Sequence, residues 1–291
     1  MRDLNYDLKQ LCLRNPNGSR ATQAERFNGL QRCADDLYSL GHRHMRKHSL
    51  DPKHVWALVG KWRDKDKLSI GSIKNNLSHI RWWAEQVDKR GVVAKTNDSY
   101  GIDRRVYVTN IDKSKTPDQI AKIANIKDPF VKASVDLMVT NGLRKEECLK
   151  IRPHQADRGD RLVLESSWCK GGRERSIQIR TPEQRAAIDY AKSLVGKKES
   201  LIPQDRSYIQ QERRFDYQIK KAGLSNMHGF RHLWSHQRYL GITGFKCPAA
   251  GGPTRRELTK AQRALDREAR EIITKELGHN RSQITANYLG R

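Results

Sequence analysis

Six side chains stand in contexts suited to phosphate chemistry. Arg144 lies in Thr140-Asn141-Gly142-Leu143-Arg144-Lys145-Glu146-Glu147, and Lys170 opens Lys170-Gly171-Gly172-Arg173-Glu174-Arg175. His228 and Arg231 share His228-Gly229-Phe230-Arg231-His232, His279 follows Gly278, and Tyr288 stands nine positions beyond His279. A tyrosine hydroxyl that attacks a DNA phosphodiester forms a 3′-phosphotyrosyl ester and frees a 5′-hydroxyl. The ester keeps the bond energy, so resealing needs neither ATP nor a metal. The transition state gathers negative charge on its non-bridging oxygens, and a planar guanidinium donates two hydrogen bonds to such charge. A lysine can protonate the leaving oxygen. A histidine can take the tyrosine proton or orient the phosphate.

Each residue also has an ordinary reading. Arg144 fits a surface arginine at a helix cap. His228 and Arg231, three apart, share one helix face, which is more often a solvated basic surface. Lys170 fits a charged hairpin turn, His279 a cap after Gly278, and Tyr288 a terminal aromatic packed on a core. The ordered set, not any single member, carries the signal.

These residues need a scaffold, and the apolar spacing supplies one. Residues 1–90 read as four helices: Leu4, Leu8 and Leu11; Phe27, Leu30, Ala34 and Leu37; Val55, Leu58, Val59 and Trp62; then Ile73, Leu77, Ile80, Ala84 and Val87. Thr22 and Glu25 form a candidate capping box. Between helices, His42, His44 and His48 have no standard metal-ligand spacing and read as a basic loop. Periodicity breaks over 91–115, which reads as a linker with Val106-Tyr107-Val108 as a short extended piece. A second domain, 116–291, opens at Thr116-Pro117. Helix then gives way to two strands, 161–164 and 176–179, joined through Lys170-Gly171-Gly172. Helices resume at about 182–195, 205–221 and 229–240. Gly241 to Pro253 is a loop, and Thr254 with Glu257 is a candidate cap for a helix burying Leu258, Ala261, Leu265, Ala269, Ile272 and Ile273.

The chain of 291 residues carries 57 Lys and Arg against 33 Asp and Glu, a net +24. That excess points to a polyanion, nucleic acid first. An anionic membrane is a poor second, because there is no amphipathic anchor, lipidation signal, signal peptide or apolar run of ~20 residues. Five scattered cysteines without a CxxC pair fit a reducing, cytoplasmic compartment.

On these motifs the chain resembles the tyrosine recombinases of the phage integrase family, from about residue 116 to 288. The resemblance rests on Arg144 with Glu147, Lys170, His228 with Arg231, Gly278-His279 and Tyr288, in order. It implies a mainly α protein: a helical-bundle core-binding domain (1–90) and a mixed α+β catalytic domain with a small antiparallel sheet. It makes Tyr288 the nucleophile, Arg144 and Arg231 the phosphate clamp, and Lys170 the general acid. His228 assists proton transfer and His279 hydrogen-bonds the phosphate. Glu147 holds Arg144 or a histidine, and His232 buttresses the fold. Lys74, Arg81, Arg173 and Arg175 become candidate DNA contacts, with most affinity coming from phosphates. The partners implied are double-stranded DNA gripped by both domains, three further copies in a tetramer acting through a Holliday junction, and accessory DNA-bending proteins. No cofactor or metal is implied.

Two departures stand out. His228 and His279 are 51 positions apart, longer than usual, with the extra length at 241–270. The sequence also stops three residues after Tyr288, where family members usually continue into a docking helix. No separate arm-binding domain precedes the first helix, so a simple recombination site is expected. Three rivals remain: a monomeric type IB topoisomerase, a non-catalytic DNA binder on a recombinase scaffold, and a zinc nuclease built from some of the ten histidines.

Overall fold

The computed structural model describes residues 1–291 as two compact units, Met1–Val106 and Tyr107–Arg291. The first is all helical: α1 (Asp3–Arg14), α2 (Arg20–Ser39), α3 (Pro52–Gly60) and α4 (Ile70–Gln86). Leu8, Leu30, Leu37, Leu58 and Leu77 are fully buried between them, beside Trp62 and Trp83. Both indoles keep a polar partner inside the core, as buried tryptophan requires: Trp62 Nε1 donates to Asp36 (2.7 Å) and Trp83 Nε1 to the Lys47 carbonyl (2.8 Å).

Two details differ from the sequence reading. Helix α2 begins before Thr22, because Ser19 caps it and accepts from the Thr22 amide at 3.2 Å. The segment after residue 90 is also not a free linker throughout. Val93, Tyr100 and Ile102 are buried in the first core, and Tyr100 Oη accepts from the Ala94 amide at 2.8 Å. Three apolar side chains over ten residues are enough to fasten it. Val106-Tyr107-Val108 forms no strand.

The second unit opens with α5 (Pro117–Ala121), where Thr116 and Gln119 form the capping box. Next come α6 (Pro129–Asn141), α7 (Lys145–Lys150) and α8 (Pro153–Ala156). Strands β1 (Arg161–Leu164) and β2 (Arg175–Gln178) pair antiparallel, Leu162 opposite Ile177. Then follow α9 (Pro182–Ser193), α10 (Tyr208–Lys221), α11 (His228–Thr243), α12 (Lys260–Glu276) and α13 (Ser282–Leu289). Helix α6 packs on α9 and α11, and α11 in turn packs on α12 and α13. The core runs through Val131, Val135, Leu149, Leu164, Ile177, Phe215, Phe230 and Ile273.

The 241–270 stretch belongs to this packing. Thr254 and Glu257 do bond to each other (2.6 Å from the amide), but that turn closes on itself. Helix α12 starts only at Lys260, capped by Thr259 and Gln262. Its buried face is rotated from the expected one. Leu265 is exposed, and Asp266 is buried instead, accepting from Tyr239 Oη and Arg270 Nε, both at 2.7 Å.

Gly142 ends α6 in the left-handed region, at φ 62°. A Cβ there would stand 2.7 Å from the Trp234 ring. Gly142→Ala is expected to destabilise the second unit by roughly 2–4 kcal/mol, about 1 from the backbone conformation and about 1–3 from overpacking. Urea unfolding measures it, and a change below about 0.5 kcal/mol, the ordinary surface range, would contradict this account of the turn.

Candidate active site

Three chain segments converge where α11, α13 and the turn before α7 meet. Arg144 is held by the turn that Gly142 makes possible. Its own amide donates to Glu147 Oε2 (2.7 Å) and its guanidinium to Glu147 Oε1 (2.8 Å). Glu147 is fully buried and receives a second, bidentate arginine, Arg175, at 2.7 Å on each oxygen. Burial alone would raise the Glu147 pKa, but the Arg175 hydrogen bonds and charge outweigh it and bring it to about 2.

Arg175 is therefore not a DNA contact. Strand alternation decides this: along β2, Arg175 and Ile177 point inward while Ser176 and Gln178 point out. From inside, its Nε donates to the Glu276 carbonyl at 2.8 Å, which ties the hairpin to the end of α12.

Arg231, also fully buried, has no carboxylate partner. One terminal nitrogen donates to the Gly142 carbonyl, the other to the Leu277 carbonyl (2.5 Å), and Nε to Tyr288 Oη (3.3 Å). Three of the five N–H donors of an arginine are thus used, and two remain for an anion. Burial, with Arg144 and Arg175 adding to it, lowers its pKa to about 10, so it stays charged at neutral pH.

Tyr288 sits among histidines. Its hydroxyl lies 3.0 Å from His228 Nε2. The His279 ring stacks on it at 5.4 Å between centroids, and His232 packs at 4.6 Å. His279 Nδ1 is held by Thr285 Oγ1 at 3.0 Å. Burial, then the neighbouring arginines, lowers His228 to about 4 and His279 to about 3. Burial, then the other histidines of α11, lowers His232 to about 4. All three are neutral at pH 7. Three guanidiniums therefore face one carboxylate, and the pocket seeks an anion.

The remaining residues lie apart. Lys170 and Arg173 are exposed on the β1–β2 connection, with no side-chain partner. Lys74 is half-exposed and equally free. Arg81, half-buried, is held within the first unit by one terminal nitrogen, which donates to the Ala94 carbonyl (3.1 Å) and Asn97 Oδ1 (2.8 Å). Sequence reasoning missed His236, whose Nε2 lies 2.8 Å from the Tyr288 carbonyl. Its spacing was a usable signal, since His228, His232 and His236 recur every four residues along one face of α11.

Two family models match the sequence: "Phage integrase, N-terminal" over residues 1–92 and "Integrase" over residues 103–237. No curated protein matches it. Among solved structures, it is similar to a lambda integrase dimer bound to a COC′ core site, with TM-score 0.64 and 16% identity over 98% of this chain and 76% of that one. A lambda integrase tetramer bound to a Holliday junction matches with TM-score 0.57 and 16% identity, over 94% and 76%. The Tn1549 transposon integrase in complex with circular intermediate DNA matches with TM-score 0.56 and 12% identity, over 100% and 96%. At these identities the likeness is one of fold. No helix is long and apolar enough to cross a membrane.

The three depressed histidines make the second unit acid-sensitive. Their pKa values are below the ordinary 6.5 in the folded chain, so on acidification the unfolded chain takes up protons first. Stability is complete above about pH 6.5 and is lost as pH falls through about 4 towards about 3. Thermal melts should therefore drop between pH 7 and pH 5, and the His228→Gln/His279→Gln variant should show a shallower drop. An unchanged slope in that variant would contradict the assignment.

Proposed function

The chain belongs to the phage integrase family of tyrosine recombinases, and on that premise we propose that it breaks and rejoins duplex DNA at specific sites through Tyr288. The observation that carries this reading is the Tyr288 hydroxyl, 3.0 Å from a neutral His228 nitrogen and 3.3 Å from Arg231, in a pocket with excess positive charge.

Tyr288 Oη attacks the phosphorus as its proton passes to His228 Nε2. The P–O5′ bond breaks, a 3′-phosphotyrosyl ester forms, and the 5′-oxygen leaves with a proton from Lys170. Reversal by an incoming 5′-hydroxyl restores the phosphodiester and the tyrosine. Arg144, braced by Glu147, and the two unused donors of Arg231 receive the non-bridging oxygens as their charge grows. His279, stacked on the tyrosine ring, contributes a further hydrogen bond to the phosphate. Lys170 reaches the leaving group from the exposed hairpin connection, so it acts only once that connection lies against DNA. Arg173 and Lys74 add phosphate contacts. The first unit serves as the core-binding domain. The lambda tetramer on a Holliday junction supports a tetramer of this chain as the assembly that exchanges strands. A mobile element is the source that fits such an enzyme, and DNA-bending proteins are its candidate helpers.

The test is a covalent adduct. The protein is mixed with DNA fragments flanking its own gene in EDTA, and SDS-resistant protein–DNA complexes are sought. Wild type is expected to form them and Tyr288→Phe to form none, with DNA retention in both. An adduct that survives in Tyr288→Phe would move the nucleophile elsewhere. Adduct formation abolished by EDTA would overturn the metal-free mechanism.

A further inference from the structure

The last carbonyls of a helix have no partner within it and must find one elsewhere. At the end of α13 the Tyr288 carbonyl, and the main chain of the two residues that follow the helix, meet side chains from three different parts of the second unit. His236 Nε2, on α11, meets the Tyr288 carbonyl at 2.8 Å. Arg270, on α12, donates to the Gly290 carbonyl at 2.9 Å. The Asn110 side chain bonds both ways to Arg291: its amide nitrogen donates to the Arg291 carbonyl (3.0 Å) and its oxygen accepts from the Arg291 amide (2.9 Å). Two residues on, Asp112 Oδ1 lies 3.6 Å from His236 Nδ1.

We propose that Asn110 and His236 form a clasp that positions the nucleophile, fixing the backbone of Tyr288–Arg291 so that Tyr288 Oη stays in register with His228 and Arg231. A carbonyl oxygen can only accept, so the proton of a neutral His236 ring sits on Nε2. Asp112 stands 3.6 Å from Nδ1, beyond hydrogen-bond range, so the bond to the main chain of the nucleophile is the one His236 makes. Gly290 makes the approach possible. At φ 74°, a Cβ there would collide with Asn110 Oδ1 and lie 2.8 Å from the Ala249 amide nitrogen. None of these side chains touches the reacting atoms; they act through the backbone of the residue that does.

The inference rests on Tyr288 being the nucleophile, so its test carries a control for that reading. Single-turnover adduct formation is timed on the DNA fragment that wild type captures, alongside DNA retention and thermal melting. Asn110→Ala, His236→Ala and His236→Gln are compared, with Tyr288→Phe as the control. His236→Ala is expected to slow adduct formation roughly 10- to 100-fold, the scale of a reacting group displaced by about 1 Å, with DNA retention unchanged. Asn110→Ala should fall in the same direction. His236→Gln, which keeps an N–H donor at similar reach, should recover most of the rate. Wild-type rates in both alanine variants would overturn the clasp. So would a glutamine variant as slow as the alanine one when both melt alike, since packing and not the bond would then be at issue. An adduct absent from wild type, or present in Tyr288→Phe, would instead sink the nucleophile assignment, and the clasp with it.

Discussion

Burying a lone carboxylate costs several kcal/mol, and Glu147 has no exposed surface. It stays ionised because Arg175 meets it with two hydrogen bonds and Arg144 with two more, one from the main chain. Everything else in the site depends on that arrangement. The same Arg175 holds the Glu276 carbonyl, one residue before the Leu277 carbonyl that Arg231 holds. The Gly142 turn, the β hairpin, the end of α12 and the start of α11 are thereby fastened to one another through charged hydrogen bonds. Such a cluster is a poor device for stability, since apolar replacements often do as well or better. It is a good device for fixing direction: the bidentate Arg175 locks the carboxylate, and Glu147 then holds Arg144 by its amide and one guanidinium nitrogen, leaving it few ways to point.

The electrostatics follow from the same burial. Histidines packed beside arginines lose their charge, so the pocket is positive without being protonated where the tyrosine proton must go. Arg231 is bonded mainly to carbonyl oxygens rather than to a carboxylate. Its charge is thus held but not neutralised, and the site contains a cation waiting for an anion. This preorganisation spares the transition state much of the rearrangement that water would need.

Much of this was legible in the sequence, for identifiable reasons. The order from Arg144 to Tyr288 could be read because each member sits at a local feature with its own signature: a glycine turn, a hairpin, a helix start, a glycine stop. Helix spacing found the cores for the same reason. What failed needed three-dimensional information. Arg175 and Arg173 look alike as letters, and only the register of β2 sends the first inward. Thr254 with Glu257 has the pattern of a cap but lies one turn too early, because Thr259 with Gln262 competes for the same helix. Asn110 pairs with a residue 181 positions away, and no spacing rule reaches that far.

The central claim is that the Glu147–Arg175 pair serves direction more than stability, and one double variant separates the two. Glu147→Gln with Arg175→Met removes both buried charges together, so neither is left unpaired. The measurement is single-turnover cleavage by this variant, made once its melting and DNA retention show an intact fold. The account predicts a folded, DNA-binding protein whose cleavage falls by at least roughly 100-fold, as expected when an arginine on the transition-state charge loses its aim. Cleavage at the wild-type rate would contradict it, for Arg144 would then find its place without the carboxylate.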